Sequence, residues 1–381
     1  MTPSKRRGGL MALLALLAVL LPAMGATDAA TKTRRNPWSL RLRGEAEVKY
    51  DDNILTLSDG DIDSVEDPAP GSNPLETFGI DRPEDLVFTP SFGLTLDRSP
   101  RRGRDTAIGI TARSNQYAHS TVKDYQEYGV SLRQELNRSR AHRTVLSVSG
   151  SRTPHYFLRN LTDEDESQLA GVTIHNPATF EKNRAYIEIS QEIVNQVLAV
   201  AVGYARERRN YNFHFDERDS SSNVTSLELN LFPAGKIGFR IRPYYEHEER
   251  EARGNLPTSS IVDDDVGFDY DLYGIEMRGL WGRDRDHRNN LRCYFEKGTR
   301  DFTTTTADPG HFGREDDITK YGLGYTHELG PRWQWGIWAY HRNVDINIFT
   351  GKFDRNVVAA SFGYNFDHRF EAGDGAREVE E

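Results

Sequence analysis

The sequence is short of most things that hold a secreted chain together. Its 381 residues include one cysteine, Cys293. That excludes an intramolecular disulfide and every CxxC metal or haem motif. Cys293 falls on the apolar side of an alternating segment, so its expected role is that of a small hydrophobe. Only 37% of residues are hydrophobic, and mean hydropathy is −0.68. After residue 25 no apolar run approaches the ~18 residues that a membrane helix needs. A basic excess is also missing. The net charge is −10, and removing a basic leader would make it more negative, which argues against nucleic-acid binding. The histidines His119, His155, His175, His214, His247 and His311 are scattered, with no nucleophile or acid–base partner at a recognisable spacing. The reading is therefore not an enzyme, and no cofactor is implied.

The first 25 residues read as a signal peptide. Lys5, Arg6 and Arg7 are basic, Leu10–Leu21 is apolar but too short to span, and Ala23-Met24-Gly25 suits cleavage. Residues 26–37 form a polar leader. From Trp38 the chain alternates: Trp38, Leu40, Leu42, Ala46, Val48 and Tyr50 share one face, while Ser39, Arg41, Arg43, Glu45, Glu47 and Lys49 share the other. A period of two is the mark of a strand.

The same pattern recurs in fourteen segments. They are 38–50, 86–97, 106–117, 125–136, 144–154, 182–193, 196–206, 223–232, 237–247, 267–280, 290–301, 318–328, 332–343 and 355–366. The connections alternate between short and long. Short turns near 98–105, 137–143 and 281–289 are basic. The longest connections, 51–85 and 155–181, are acidic or mixed. An even number of strands with alternating connection lengths predicts an all-β fold, a single transmembrane antiparallel up-and-down barrel over 38–366 with a short tail at 367–381. Aromatics near segment ends (Trp38, Tyr50, Tyr204, Tyr245, Tyr273, Trp281, Tyr325, Trp333, Trp335 and Phe366) fall on the apolar face, as interface girdles do. Pro90 and Pro243 predict local bulges.

The last segment, Asn356–Phe366, sets Val358, Ala360, Phe362, Tyr364 and Phe366 on one face and ends on an aromatic. It resembles the closing strand and assembly signal of Gram-negative outer-membrane β-barrel proteins, which are porin-like. That resemblance implies a place in the cell outer membrane, contact with its lipids and lipopolysaccharide, and insertion by the barrel assembly machinery. Tyr50-Asp-Asp-Asn53 resembles an element that follows the first strand in barrels associated with exopolysaccharide systems. It implies polysaccharide and periplasmic export proteins as partners.

The polar face defines a prospective lumen. Arg41, Arg43, Arg113, Arg133, Arg240, Arg242, Arg278, Arg292, Arg300 and Arg342 fall there with Lys49, outnumbering Glu45, Glu47, Glu135, Glu188, Glu246, Glu276 and Glu296. Tyr244, Tyr294, Trp338 and Tyr340 add rings. Small inward residues such as Gly203, Gly274 and Gly322 are read as leaving space. Arg forks pair with carboxylates and phosphates, so the expected function is a pore for small solutes or anionic oligo- and polysaccharides, in the narrower reading the outer-membrane part of a polysaccharide export system. The alternative is a closed structural or adhesive barrel acting through its acidic loops. No separate plug domain is visible, so the lumen is either open or occluded by 51–85 and 155–181. Asp59, Asp61 and Asp63 space carboxylates as a calcium loop does, without the glycine and glutamate of an EF-hand. Arg208–Asp219 and His311–Asp316 suggest tight, charge-paired loops.

Overall fold

The computed structural model describes residues 37–69, 72–98, 105–138, 143–162, 170–232, 238–252, 266–282, 288–303, 311–330, 332–348 and 352–371. The expected signal peptide, most of the basic turn 98–105 and part of the 155–181 connection lie outside these residues. Fourteen strands form one closed antiparallel barrel in which every strand pairs with its neighbours in sequence. They are β1 (Pro37–Asp51), β2 (Asp85–Arg98), β3 (Thr106–Tyr117), β4 (Tyr125–Arg138), β5 (Arg143–Thr162), β6 (His175–Val194), β7 (Leu198–Tyr211), β8 (Ser220–Leu231), β9 (Gly238–Ala252), β10 (Phe268–Trp281), β11 (Asn289–Phe302), β12 (Glu315–Leu329), β13 (Trp333–Ile346) and β14 (Lys352–Glu371). β14 closes against β1 in register from Pro37↔Glu371 to Asp51↔Val357. The closing strand therefore runs five residues beyond the expected end at Phe366.

All fourteen strands occur where the alternation places them. The largest difference is at β5 and β6. The expected connection 155–181 is mostly strand, because two irregularities, between Thr153 and Tyr156 and between Phe157 and Arg159, shift the side chains by one and hide the period. Conversely, Pro90 and Pro243 cause no bulge. The β2–β3 register is the same on both sides of Pro90, and Pro243 stays opposite Ile275. Each proline only removes a hydrogen bond on one side, so the ladder skips a step without slipping.

The molecule is apolar on the outside. Val48, Phe92, Val202, Leu323, Ile337 and Val358 are all at least half exposed, while inward-facing Val357, Ala359 and Ala201 are buried. On β14 the apolar run from Val358 to Phe366, at ~3.3 Å per residue and ~40° tilt, covers about 20 Å, close to the ~25 Å belt of a membrane barrel. Trp333 stacks on Phe362 at 5.1 Å and meets Tyr364 at 4.5 Å, and Trp335 meets Tyr325 at 5.4 Å, so rings gather at the short-turn rim. Beyond the belt towards the long connections the outer face turns acidic: Glu249, Asp269, Asp301 and Glu315 lie directly opposite one another across β9–β12. Like charges so placed repel and are tolerated only in water, so they mark where lipid ends. A Leu323→Arg substitution in mid-belt is expected to cost about 2–4 kcal/mol in a bilayer, read as a lowered urea midpoint in lipid vesicles.

Candidate functional site: a plugged, two-sided lumen

The segment between β1 and β2 does not hang in solvent. It folds into the mouth at the long-connection end. Ile54, Leu57, Val65 and Ile80 are buried against Val87 of β2 and Tyr117 of β3, both on the inward face. Two helices lie within it, α1 (Asp59–Glu66) and α2 (Pro74–Phe78), N-capped by the side chains of Ser58 and Asn73. Helix α2 ends on Gly79, whose positive φ of 79° permits the turn. A Cβ at Gly79 would also lie 2.5 Å from the Phe157 ring. The Asn160 side-chain amide of β5 donates to the carbonyls of Leu75 and Glu76. The segment thus crosses the mouth as a chord over the β14–β5 side. Its position corrects the picture of a displayed acidic loop.

Tyr50-Asp-Asp-Asn53 is the clasp of this plug. The Asp51 carboxylate is fully buried and takes a fork from Arg355, with Nε at 2.9 Å. Asp52 accepts from the Asn356 backbone N–H at 2.6 Å and from its side-chain amide at 2.7 Å. Asn53 donates to the carbonyls of Leu57 and Asp354, and accepts from Leu57 N–H at 2.7 Å. At the other end of the segment, buried Asp85 accepts from the backbone of His119 and Ser120. Asp59, Asp61 and Asp63 sit on α1 rather than on a calcium loop. A spacing of two turns successive residues away from each other on a helix, and no group of three metal-ligating side chains occurs among the described residues.

Lys123 lies beside the plug, in the turn between β3 and β4, and is 2% exposed. Its ammonium donates to the carbonyls of Phe157 and Leu158 and sits over the Tyr156 and Phe157 rings. Burial, with Arg355 adding to it, lowers its pKa from 10.5 to about 7. The loosened turn therefore holds a proton that the packed turn lacks between those values. Packing is expected to tighten as pH rises from about 7 towards 10.5 and to be flat below. Hydrogen exchange of residues 118–125 should slow over that window beyond the intrinsic rate, and Lys123→Met should remove the slope.

Below the plug, the register sets Arg41, Arg43, Arg113, Arg133, Arg240, Arg242, Arg278, Arg292, Arg300, Arg342, Tyr244, Tyr294, Trp338 and Tyr340 on the enclosed face. They are not evenly spread. One wall, β9–β14, is cationic and aromatic. Arg240, Arg278 and Arg292 lie directly opposite one another on β9, β10 and β11. Lys320, Arg342 and Arg355 do the same on β12, β13 and β14. Some of these charges are matched. Glu276 takes Arg242 at 3.1 Å and Arg292 at 2.5 Å, Lys320 pairs with Glu296 at 3.2 Å, and Arg300 with Asp316 at 3.6 Å. Among the described residues, Arg240 and Arg278 donate to the neutral amides of Asn230 and Asn290 and to no carboxylate. Rings lie between the cations: Arg242 over Tyr244, Arg292 over Tyr294, Lys320 over Tyr294 and Tyr340, and Trp338 stacked on Tyr340 at 5.7 Å.

The inward glycines do not simply leave space. Tyr244 and Tyr294 lie flat across Gly274 and Gly322 on the neighbouring strand, and a Cβ at Gly322 would fall 2.6 Å from the Tyr294 ring. Glycine lets each ring hug the wall instead of crossing the lumen.

The opposite wall, β3–β8, is richer in small and hydroxylated residues, although Arg113, Arg133, Arg184, Glu188 and Glu228 also lie on it. Thr111, Ser131, Ser149, Ser151, Tyr186 and Ser226, with Arg184 and Glu246, line a cavity of about 400 Å³ there. A second cavity of about 690 Å³ opens towards the short turns, between Arg133, Arg143, Ser147, Glu188, Asn230 and Arg240. Towards the mouth the inner surface is aromatic: Tyr125, Tyr156, Phe180 and Tyr211 follow one another at 5.0 Å, and Arg209 sits over Phe180. The charge-paired loops read from the sequence are present in part. Tyr211 N–H donates to Asp219 at 2.6 Å, and Arg314 pairs with buried Asp316 at 2.7 Å. Sequence reasoning missed Arg355, Lys320 and the clasp. Arg355 was detectable, since two-residue counting back from Ala359 puts it on the inward face opposite Arg342.

No family model matches the chain, and no curated protein sequence matches it. Among solved structures it is similar to a bacterial polysaccharide outer membrane secretin, at 11% identity over 88% of this chain and 100% of that one, with a TM-score of 0.39. An anion-selective porin from Comamonas acidovorans gives 10% identity over 86% and 99%, TM-score 0.38. The TodX monoaromatic hydrocarbon channel with a deltaS2S3 mutation gives 9% over 88% and 91%, TM-score 0.42. The architecture rests on the chain's own geometry. Closed, antiparallel and even-stranded, with its apolar side chains turned outward, it is a β-barrel of the outer-membrane type.

Proposed function

We propose that the chain is an outer-membrane conduit for anionic oligo- or polysaccharide, loaded from the periplasm at the short-turn end. The observation that carries this reading is the uneven lumen: the cation rows and interleaved rings of β9–β14 face a wall, β3–β8, richer in hydroxyls. An acidic sugar chain offers matching groups, with carboxylates or phosphates for arginine forks, ring faces for Tyr and Trp, and hydroxyls for serine. Arg240 borders the larger cavity, with Arg278 directly across the ladder from it, and the two would meet such a chain early. The belt would sit in outer-membrane lipid and lipopolysaccharide after delivery by the assembly machinery, and periplasmic export proteins would present the substrate. The adhesive alternative has less support, because both ends of the 51–85 segment are used inside the barrel.

Arg240→Ala combined with Arg278→Ala is the test. In planar bilayers under a salt gradient, the barrel freed of its plug should be anion-selective, and the double variant should move the reversal potential towards zero or past it. An unchanged reversal potential would remove these arginines from the path. Block of the current by oligogalacturonate, and not by a neutral oligosaccharide of the same length, would identify the ligand class.

A further inference from the structure

The plug is fastened to the one arginine that also belongs to the upper cationic row. Arg355 holds the buried Asp51 carboxylate, and directly across the ladder it faces Arg342, which faces Lys320. Lys320 has Glu296, whereas Arg342 has no carboxylate partner among the described residues. Directly below Arg342 on the same face lies Tyr340, stacked on Trp338. An anion travelling up this wall would next reach the Arg342–Arg355 pair, where three adjacent cations repel one another, offset by Asp51, by Glu296 and at longer range by Asp316.

We propose that an anionic sugar chain unlocks its own gate by competing with Asp51 for Arg355. This rests on the conduit reading above. The carboxylate of the incoming chain bridges Arg342 and Arg355, the Asp51–Arg355 fork opens, and Asp51 turns towards water. The remaining clasp is the Asp52 N–H bond to the Asn356 carbonyl, the Asp52 carboxylate to Asn356 and Asn53 to Asp354, exposed or partly buried hydrogen bonds that in this proposal give way once the fork has opened. The plug keeps its own apolar core and its attachment through Asp85, Val87 and Tyr117, so it swings about the β2–β3 side and parts from β14 and β5. The exchange is one carboxylate for another on the same fork, so the buried arginine is never left without a partner.

The test uses the mature chain in planar bilayers, with oligogalacturonate added to each side in turn and a neutral oligosaccharide of equal length as control. Wild type should conduct little until oligogalacturonate is added, then open. Asp51→Asn, which weakens the fork while keeping its shape, should be open without it. Arg342→Gln should need at least tenfold more oligogalacturonate to open. Heat-modifiable migration confirms that each variant is a folded barrel. The inference is overturned if oligogalacturonate only lowers the wild-type current, or if folded Asp51→Asn stays closed. A barrel lacking 54–84 separates the two readings. If oligogalacturonate permeates it but never opens wild type, the gate is wrong and the conduit stands. If oligogalacturonate neither permeates nor blocks it, the conduit fails and the gate fails with it.

Discussion

Deleting residues 54–84 and joining Asn53 to Asp85 through a short glycine–serine link should convert a poorly conducting barrel into a steadily open pore, with single-channel conductance raised several-fold. The plug packs a core largely of its own residues in the mouth, to which the wall adds Val87, Tyr117 and the partly buried Tyr125. The fourteen strands pair with one another and not through the plug, so the barrel should still close and show heat-modifiable migration. A fourteen-stranded barrel is wide enough to leave a lumen, between the filled eight-stranded and the open sixteen-stranded cases. The rings over Gly274 and Gly322 keep to the wall and would not obstruct it. Conductance indistinguishable from that of wild type in the folded deletion variant would show that something else closes the pore.

Glu276→Gln should be the most damaging single change in the lumen. Glu276 is 5% exposed and stands between Arg242 and Arg292, at 3.1 and 2.5 Å. Removing its charge leaves Arg242 with Glu228 alone at 3.3 Å and leaves Arg240, Arg278 and Arg292 as a nearly unbroken cationic row. Breaking a buried pair costs ~3–5 kcal/mol, but Arg292 is about half exposed, so a loss of about 1–3 kcal/mol is the better expectation. A guanidinium unfolding midpoint in detergent measures it. Adding Arg242→Met should recover part of the loss by removing one stranded cation. If the midpoint does not move in Glu276→Gln, the triad is held by water and not by charge pairing.

How far the sequence was legible follows from what alternation can report. Period two is a property of one strand, so every strand that lies regularly in the wall could be found, with the facing of its residues. Arg240 and Tyr244 could be put on one face without knowing their neighbours. Alternation fails where a strand is irregular, hence the missed extensions of β5 past Thr153 and of β6 before Lys182. It says nothing about pairs between strands. The meeting of Tyr244 with Gly274 depends on register, so glycines read as vacancies turned out to be seats for rings. The core of the plug was illegible for a third reason. Ile54, Leu57, Val65 and Ile80 follow no single period and are diluted by acidic residues, so the segment read equally as a displayed acidic loop or as one lying across the lumen. Asp51 and Asp85 gave no sign of burial, because a buried carboxylate is recognisable only from the groups that meet it: Arg355 in one case, the backbone of His119 and Ser120 in the other.

The clasp joins residues 51–53 to residues 354–356, a separation of 304 positions for Asp51 and Arg355, and it sits at the seam where β1 meets β14. The seam is not complete until β14 has been made and docked against β1. The plug segment precedes β14 in the chain and must therefore wait for that strand before its clasp can fasten. A partly zipped barrel would carry an unfastened plug, and a fastened plug certifies that the circle is complete. The same few contacts that close the mouth would then mark, during biogenesis, the moment at which the wall has no free edge left.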